Sequence, residues 1–130
     1  DAKLGKEFSK DTESKTVDVK EVPDGWSIFD VGEKTIEMYR TELEKAKTVV
    51  WNGPVGLFEF DQFAVGTNSV AEILASLGSA TTIIGGGDSA AAVEKSGLAN
   101  KMTHISTGGG ASLEFLEGKK LPGVECLLDK

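Results

Sequence analysis

The sequence predicts an α/β fold of the Rossmann-like kind, three layers deep, with a parallel sheet and helices on both faces. A short β-branched run, a glycine-containing loop and a run of helix formers follow one another three times, within residues 48–77, 81–97 and 102–117. That order is the pattern of parallel strands joined by crossover helices. Each loop leaves the carboxyl end of a strand, and in such a sheet those ends share one edge, where ligands bind.

The first 22 residues are the least informative, being polar and lysine-rich with only a weak alternating strand signal at Thr16-Val17-Asp18-Val19. Pro23-Asp24-Gly25 reads as a turn, and residues 26–31 as a short strand or extended connection in which Trp26 packs. Across residues 33–47, Ile36, Tyr39, Leu43 and Ala46 recur at spacings of three or four, which predicts a helix with one buried stripe. Arg40, Glu37, Glu42 and Glu44 form its solvated face. Thr48-Val49-Val50-Trp51 is a strand, ending in Asn52-Gly53-Pro54-Val55-Gly56. After Leu57-Phe58-Glu59-Phe60 a longer helix is expected from Asp61, with Val70, Ile73, Leu74 and Leu77 as its apolar stripe and Gly78 as its stop.

The rest of the chain is organised around Thr81-Thr82-Ile83-Ile84-Gly85-Gly86-Gly87-Asp88-Ser89. Four β-branched residues bounded by glycines predict a strand buried on both faces, and Ala90 to Val93 continue in helix formers. Glycines here let a ligand approach the backbone closely. Asp88 or Ser89 can cap the helix, whose free N–H groups and positive dipole end favour an anion such as phosphate. A carboxylate beside phosphate is repulsive unless a cation lies between them, so Asp88 implies Mg²⁺ shared by carboxylate and phosphate oxygens. The alternative is that the glycines serve only close packing of helix on sheet, with Asp88 an ordinary N-cap.

A third strand is expected at residues 102–106, followed by Thr107-Gly108-Gly109-Gly110 and a short helix over 111–117 with Gly118 just past its end. Pro122-Gly123 reads as a helix stop, and residues 121–128 are apolar for a terminus. The 130 residues fit one domain. A net charge of −7 argues against a nucleic-acid partner, and no apolar run is long enough for a membrane span. The single cysteine, Cys126, excludes an intrachain disulfide, fits a cytoplasmic setting and reads as small apolar filler. No signal peptide is visible, and a start at Asp1 reads as processing, a cut or a fragment.

Three glycine loops at one edge, one with a carboxylate, point to a phosphate-bearing ligand. Neither the P-loop spacing nor the dinucleotide fingerprint is present. Phosphoryl transfer needs cationic groups as well as metal. None of the loops holds Lys or Arg, Arg40 sits in mid-helix, and Lys95, Lys101 and Lys119 lie at or beyond helix ends. Catalytic cations would have to come from another segment. His104, the one histidine, reads as a structural strand residue and not as a general base.

The segments Val49-Val50-Trp51-Asn52-Gly53-Pro54-Val55-Gly56-Leu57-Phe58-Glu59, Ile83-Ile84-Gly85-Gly86-Gly87-Asp88-Ser89-Ala90-Ala91-Ala92 and His104-Ile105-Ser106-Thr107-Gly108-Gly109-Gly110-Ala111-Ser112-Leu113-Glu114 resemble, in order and interval, the C-terminal portion of phosphoglycerate kinase. The resemblance is bacterial in style and runs from about residue 23 to 130, with residues 1–8 a loose match. It implies that residues 1–130 are the C-terminal segment of the nucleotide-binding domain, an incomplete half of that domain. The enzyme implied is a two-domain, monomeric, cytoplasmic glycolytic kinase that moves a phosphoryl group between 1,3-bisphosphoglycerate and ADP, reversibly and with Mg²⁺. Its partners would be ATP or ADP, 3-phosphoglycerate held by an N-terminal domain, and the remainder of the same enzyme.

Residue by residue, the resemblance implies that Leu57 contacts adenine, that Glu59 holds the ribose hydroxyls and that Asn52 lies beside the nucleotide phosphates. Gly85, Gly86, Gly87, Asp88 and Ser89 resemble the phosphate and metal segment, with Asp88 the metal ligand and Ser89 reaching a phosphate oxygen. Gly108, Gly109 and Gly110 resemble the catalytic helix N-terminus that faces the transferring phosphoryl. Glu33 stands where the family usually has Pro. The N-terminal domain, the hinge and the first strands of the nucleotide domain, with their lysines, have no counterpart here, so the chain alone is expected to be inactive. Two other readings stand beside this one: a self-sufficient Mg-nucleotide-binding module, and a structural fragment that binds nothing until completed.

Overall fold

The computed structural model describes residues 1–127. Its strands form two sheets. The first is antiparallel, with β1 (Ala2–Gly5) between β2 (Ser14–Val17) and β3 (Ser27–Val31). The second is parallel, in the order β4 (Thr48–Asn52), β5 (Thr81–Gly85), β6 (His104–Ser106). Helices α1 (Glu33–Leu43), α2 (Val65–Ser76), α3 (Gly87–Lys95), α4 (Gly109–Leu116) and α5 (Pro122–Glu125) alternate with or follow these strands. Thr48 pairs with Thr81 and Asn52 with Gly85, while Gly85 also pairs with Ser106. The three loops therefore leave the sheet at one level.

Alternation along the strands sorts the parallel sheet into two faces. Trp51 and Ile84 turn to one face and pack with Val70, Ala71 and Leu74 of α2, Val93 of α3 and Met102. Full burial of such side chains is worth about 1.5–3 kcal/mol each, so this layer holds the site in place. Val50 and Ile83 turn to the other face, where α4 flanks them across an apolar groove of about 370 Å³. Val50 stays 41% exposed. Helices lie on both faces, one sealed and one open.

Several expectations are corrected. β1 carries no legible signal, yet Leu4 is fully buried. β5 is buried at Thr82 and Ile84, while Thr81 is exposed and Ile83 half-buried beside the groove. Thr82 meets its partner in Thr103, each backbone N–H donating to the other's hydroxyl at 3.0 Å. That exchange occupies Thr103, and β6 begins only at His104. α1 stops at Leu43, and Tyr39 is 41% exposed, because α1 packs chiefly on α2. The long helix starts at Val65, after a 3₁₀ turn at Asp61–Phe63 that buries Phe63 completely. Pro122 opens α5 instead of ending a helix, as its fixed φ permits in a first turn. Cys126 is exposed and is not filler. Leu128 lies outside the described residues.

Other expectations hold. Gly118 adopts a positive φ of 78° just past α4. Arg40 pairs with Glu37 on the solvated face of α1, and Lys95 and Lys119 are engaged with Asp61 and Glu117. His104 is exposed on its strand. Among the described residues no helix is long and apolar enough to cross a membrane.

Candidate functional site

At the carboxyl ends of β4, β5 and β6 a cleft of about 350 Å³ is lined by Asn52, Gly53, Gly86, Gly87, Asp88, Ser89, Thr107, Gly109 and Gly110. The sheet alone accounts for its existence. Parallel register aligns Asn52, Gly85 and Ser106, and the chain leaves each strand into a glycine-rich turn. Gly86 takes φ +92°, a conformation that L side chains rarely adopt, and it caps α3 without any side-chain hydrogen bond. Asp88 and Ser89 both lie inside the first turn, which corrects the expectation that one of them is the N-cap. The first N–H groups of α3 are left free of a side-chain acceptor at the cleft, the arrangement that receives an anion.

The walls are fixed by close approach. A Cβ on Gly109 would lie 2.7 Å from the Gly86 Cα and 2.8 Å from Asn52 Oδ1, and one on Gly85 would lie 2.7 Å from the same oxygen. The Asn52 amide thus sits where side chains on Gly85 and Gly109 would collide with it, and only glycine fits those positions without a shift. The Gly86 N–H donates to the Ser106 carbonyl at 2.9 Å, tying the second loop to the third strand. Ser89, fully buried, accepts the Gly53 N–H on Oγ at 2.7 Å, tying the second loop to the first. Its hydroxyl proton remains available to another acceptor.

Asp88 is exposed in the first turn of α3. Among the described residues no group of three or more His, Cys, Asp or Glu side chains could hold a metal ion. A lone carboxylate beside free helix N–H groups fits a cation whose other ligands are phosphate oxygens and water, which is how Mg²⁺ is commonly bound. It does not fit a cation held by protein alone.

The cleft brings together Asn52, Gly86, Gly87, Asp88, Ser89, Gly109 and Gly110. Gly85 lies behind it, buried against Asn52, and Gly108 borders the apolar groove on the open face. Leu57 and Glu59 are not in the cleft lining. They lie beyond Gly56, where the Leu57 N–H donates to the Phe29 carbonyl at 2.9 Å and Glu59 is exposed.

Sequence reasoning passed over Thr107, which lines the cleft, and two buried polar residues behind it. Thr67 Oγ1 accepts from the Val55 and Gly56 N–H groups at 3.1 and 3.4 Å. Asp30 accepts from the Val31 N–H at 2.8 Å and the Gly66 N–H at 2.9 Å. Burial pushes the Asp30 carboxyl above the usual carboxylate range, against those two hydrogen bonds and Lys3, which pull it down. A polar residue within a stretch otherwise legible as buried is the one signal that could have found either.

The description of the family whose profile matches residues 1–119 is "Phosphoglycerate kinase". A protein of that name from Macrococcus caseolyticus is 58% identical over 130 residues, covering 100% of this chain and 33% of its own length. One from Chloroflexus aurantiacus is 54% identical over 131 residues, covering 99% of this chain and 33% of its own. The solved structure of phosphoglycerate kinase from Coxiella burnetii superposes with a TM-score of 0.88 at 42% identity, over 95% of this chain and 32% of that one. The similarity reaches residue 1, which corrects the expectation that it starts near residue 23. This chain spans about a third of the length of the curated relatives it matches, and it belongs to the phosphoglycerate kinase family.

Proposed function

We propose that residues 1–130 form the later part of the nucleotide-binding domain of a phosphoglycerate kinase. The reaction of the whole enzyme is ATP + 3-phosphoglycerate ⇌ ADP + 1,3-bisphosphoglycerate, a step of glycolysis. One observation carries this reading: the glycine loops after three parallel strands close on one cleft at the open N-terminus of α3, with Asp88 beside it. Free N–H groups attract phosphate, and Asp88 is the carboxylate that would hold Mg²⁺, which would supply charge neutralisation beside them.

The roles we assign rest on the family likeness together with these positions. The nucleotide phosphates lie over Gly86, Gly87 and the first turn of α3, with Asp88 a ligand to Mg²⁺ and Ser89 offering its hydroxyl proton. Gly109 and Gly110, opening α4, turn their N–H groups toward the migrating phosphoryl, whose charge they stabilise without reorganising, while Gly108 caps the helix with its own N–H donated to the Ser106 hydroxyl at 3.3 Å. Leu57 and Glu59, on the continuation of the first loop, serve adenine and ribose. The cationic side chains, the 3-phosphoglycerate site and the domain that closes the cleft belong to other segments of the enzyme, which works as a cytoplasmic monomer.

Isothermal titration of Mg-ADP into the full-length polypeptide carrying this chain tests the reading. Saturable, Mg-dependent binding that Asp88→Ala abolishes supports it. Binding that is indifferent to both Mg²⁺ and Asp88 removes it.

A further inference from the structure

The loop at residues 53–57 has no regular structure, yet every backbone N–H it has is held. Gly53 donates to Ser89, Val55 and Gly56 donate to Thr67, and Leu57 donates to the Phe29 carbonyl. Gly56 also lies hard against the Asp30 carboxylate: a Cβ there would come within 2.6 Å of Asp30 Cγ and 2.7 Å of the Phe63 carbonyl oxygen. Asp30 and Thr67 are 2% and 1% exposed, and neither reaches the cleft.

A buried carboxylate is a poor way to gain stability, since its desolvation offsets much of what its hydrogen bonds return. What Asp30 does is geometric. It stands on β3 of the antiparallel sheet, grips the first turn of α2 through Gly66 and backs the loop at Gly56. Thr67, one residue further along α2, takes the two loop N–H groups. The two side chains thus hold the middle of the loop, at Val55 and Gly56, between Asn52 and Leu57.

We propose that Asp30 and Thr67 are positioning residues that set the nucleotide-facing loop at residues 53–57, so that the phosphate end and the base end of one nucleotide are met together. This rests on the functional reading above. Removing the Thr67 hydroxyl leaves two loop N–H groups without an acceptor and frees the loop, while the helix that carries it keeps its shape. The ligand affected is the nucleotide and not the phosphoglycerate.

The test compares Thr67→Val, which keeps shape and loses the acceptor, with Thr67→Ser, which keeps the acceptor, in the full-length kinase carrying this chain. Thr67→Val is expected to raise KM for Mg-ADP about tenfold, the scale of a lost buried acceptor, with KM for 1,3-bisphosphoglycerate unchanged and Thr67→Ser close to wild type. A lowered melting temperature with both KM values unchanged overturns the proposal and leaves the functional reading standing. Wild-type enzyme that binds no Mg-nucleotide overturns both. If the valine variant does not fold, hydrogen exchange on the wild type decides: Val55 and Gly56 amides protected before nucleotide is added support the proposal, and amides exchanging at free-loop rates overturn it.

Discussion

Gly109 and Gly110 are neighbours at the mouth of the cleft, and their surroundings predict opposite responses to one methyl group. At Gly109 a Cβ meets the Gly86 backbone and the Asn52 oxygen, whereas at Gly110 nothing lies within 4 Å. Gly109→Ala is therefore expected to cost about 1–3 kcal/mol, as overpacking does, and to weaken Mg-ADP binding. Gly110→Ala is expected to be neutral or to gain up to about 1 kcal/mol from helix propensity. Paired urea melts and titrations check both, and equal tolerance at the two positions would refute the close approach. Asp88→Ala, in an exposed first turn, is expected to cost under about 1 kcal/mol while abolishing the saturable, Mg-dependent binding of ADP. Asp30 adds a pH signature. Its folded-state pKa is raised by burial, so the folded form takes up the proton more readily than the unfolded one. The stability it contributes is full below the ordinary carboxylate value and is lost as pH rises through the raised one. Urea melts of wild type and Asp30→Asn across that window should show the pH-dependent part in the wild type alone.

Elements differ in how far their sequence reveals them. The β4, β5 and β6 units were legible because strand, glycine loop and helix each carry a local signature, and three copies reinforce one another. β1 was not legible. Four residues, Ala2-Lys3-Leu4-Gly5, are too few for a period, and their burial comes from pairing with β2 and β3, which no local pattern encodes. Leu4 is nonetheless fully buried. Leu4→Ala is expected to cost about 2–5 kcal/mol, matching Ile84→Ala in the parallel sheet, and chemical denaturation of the two variants compares them directly. The same distinction separates Asp88 from Asp30. A carboxylate in a glycine loop before a helix advertises itself, while one in a short strand acquires its meaning only when α2 arrives from 36 residues away. The cleft was legible for the same reason as the sheet, since parallel topology alone brings the three loops to one edge. Thr67 was hidden inside a helix whose apolar stripe drew attention to its neighbours.

At the scale of the whole molecule, the cleft is complete in backbone and incomplete in charge. Its lining contributes N–H groups, amide and hydroxyl side chains and a carboxylate, with neither Lys nor Arg among the lining residues. Arg40, Lys95 and Lys119 are paired with acidic side chains on the surface. Helix N-termini and Mg²⁺ suffice to bind a nucleotide phosphate, but the equatorial oxygens of a migrating phosphoryl also need cationic partners as charge develops on them. The open sheet face, with Val50 and Ile83 beside α4, likewise offers apolar surface that nothing in residues 1–127 covers. Binding and turnover should therefore separate in a polypeptide of these 130 residues. Mg-ADP is expected to bind, weakly and with dependence on Asp88, because the three glycine loops that line the cleft are all present. ATP consumption dependent on 3-phosphoglycerate is expected to be absent in a coupled assay and to appear in the full-length enzyme. Turnover by the 130 residues alone would mean that backbone dipoles and metal suffice for transfer, and the requirement for further cations would fall.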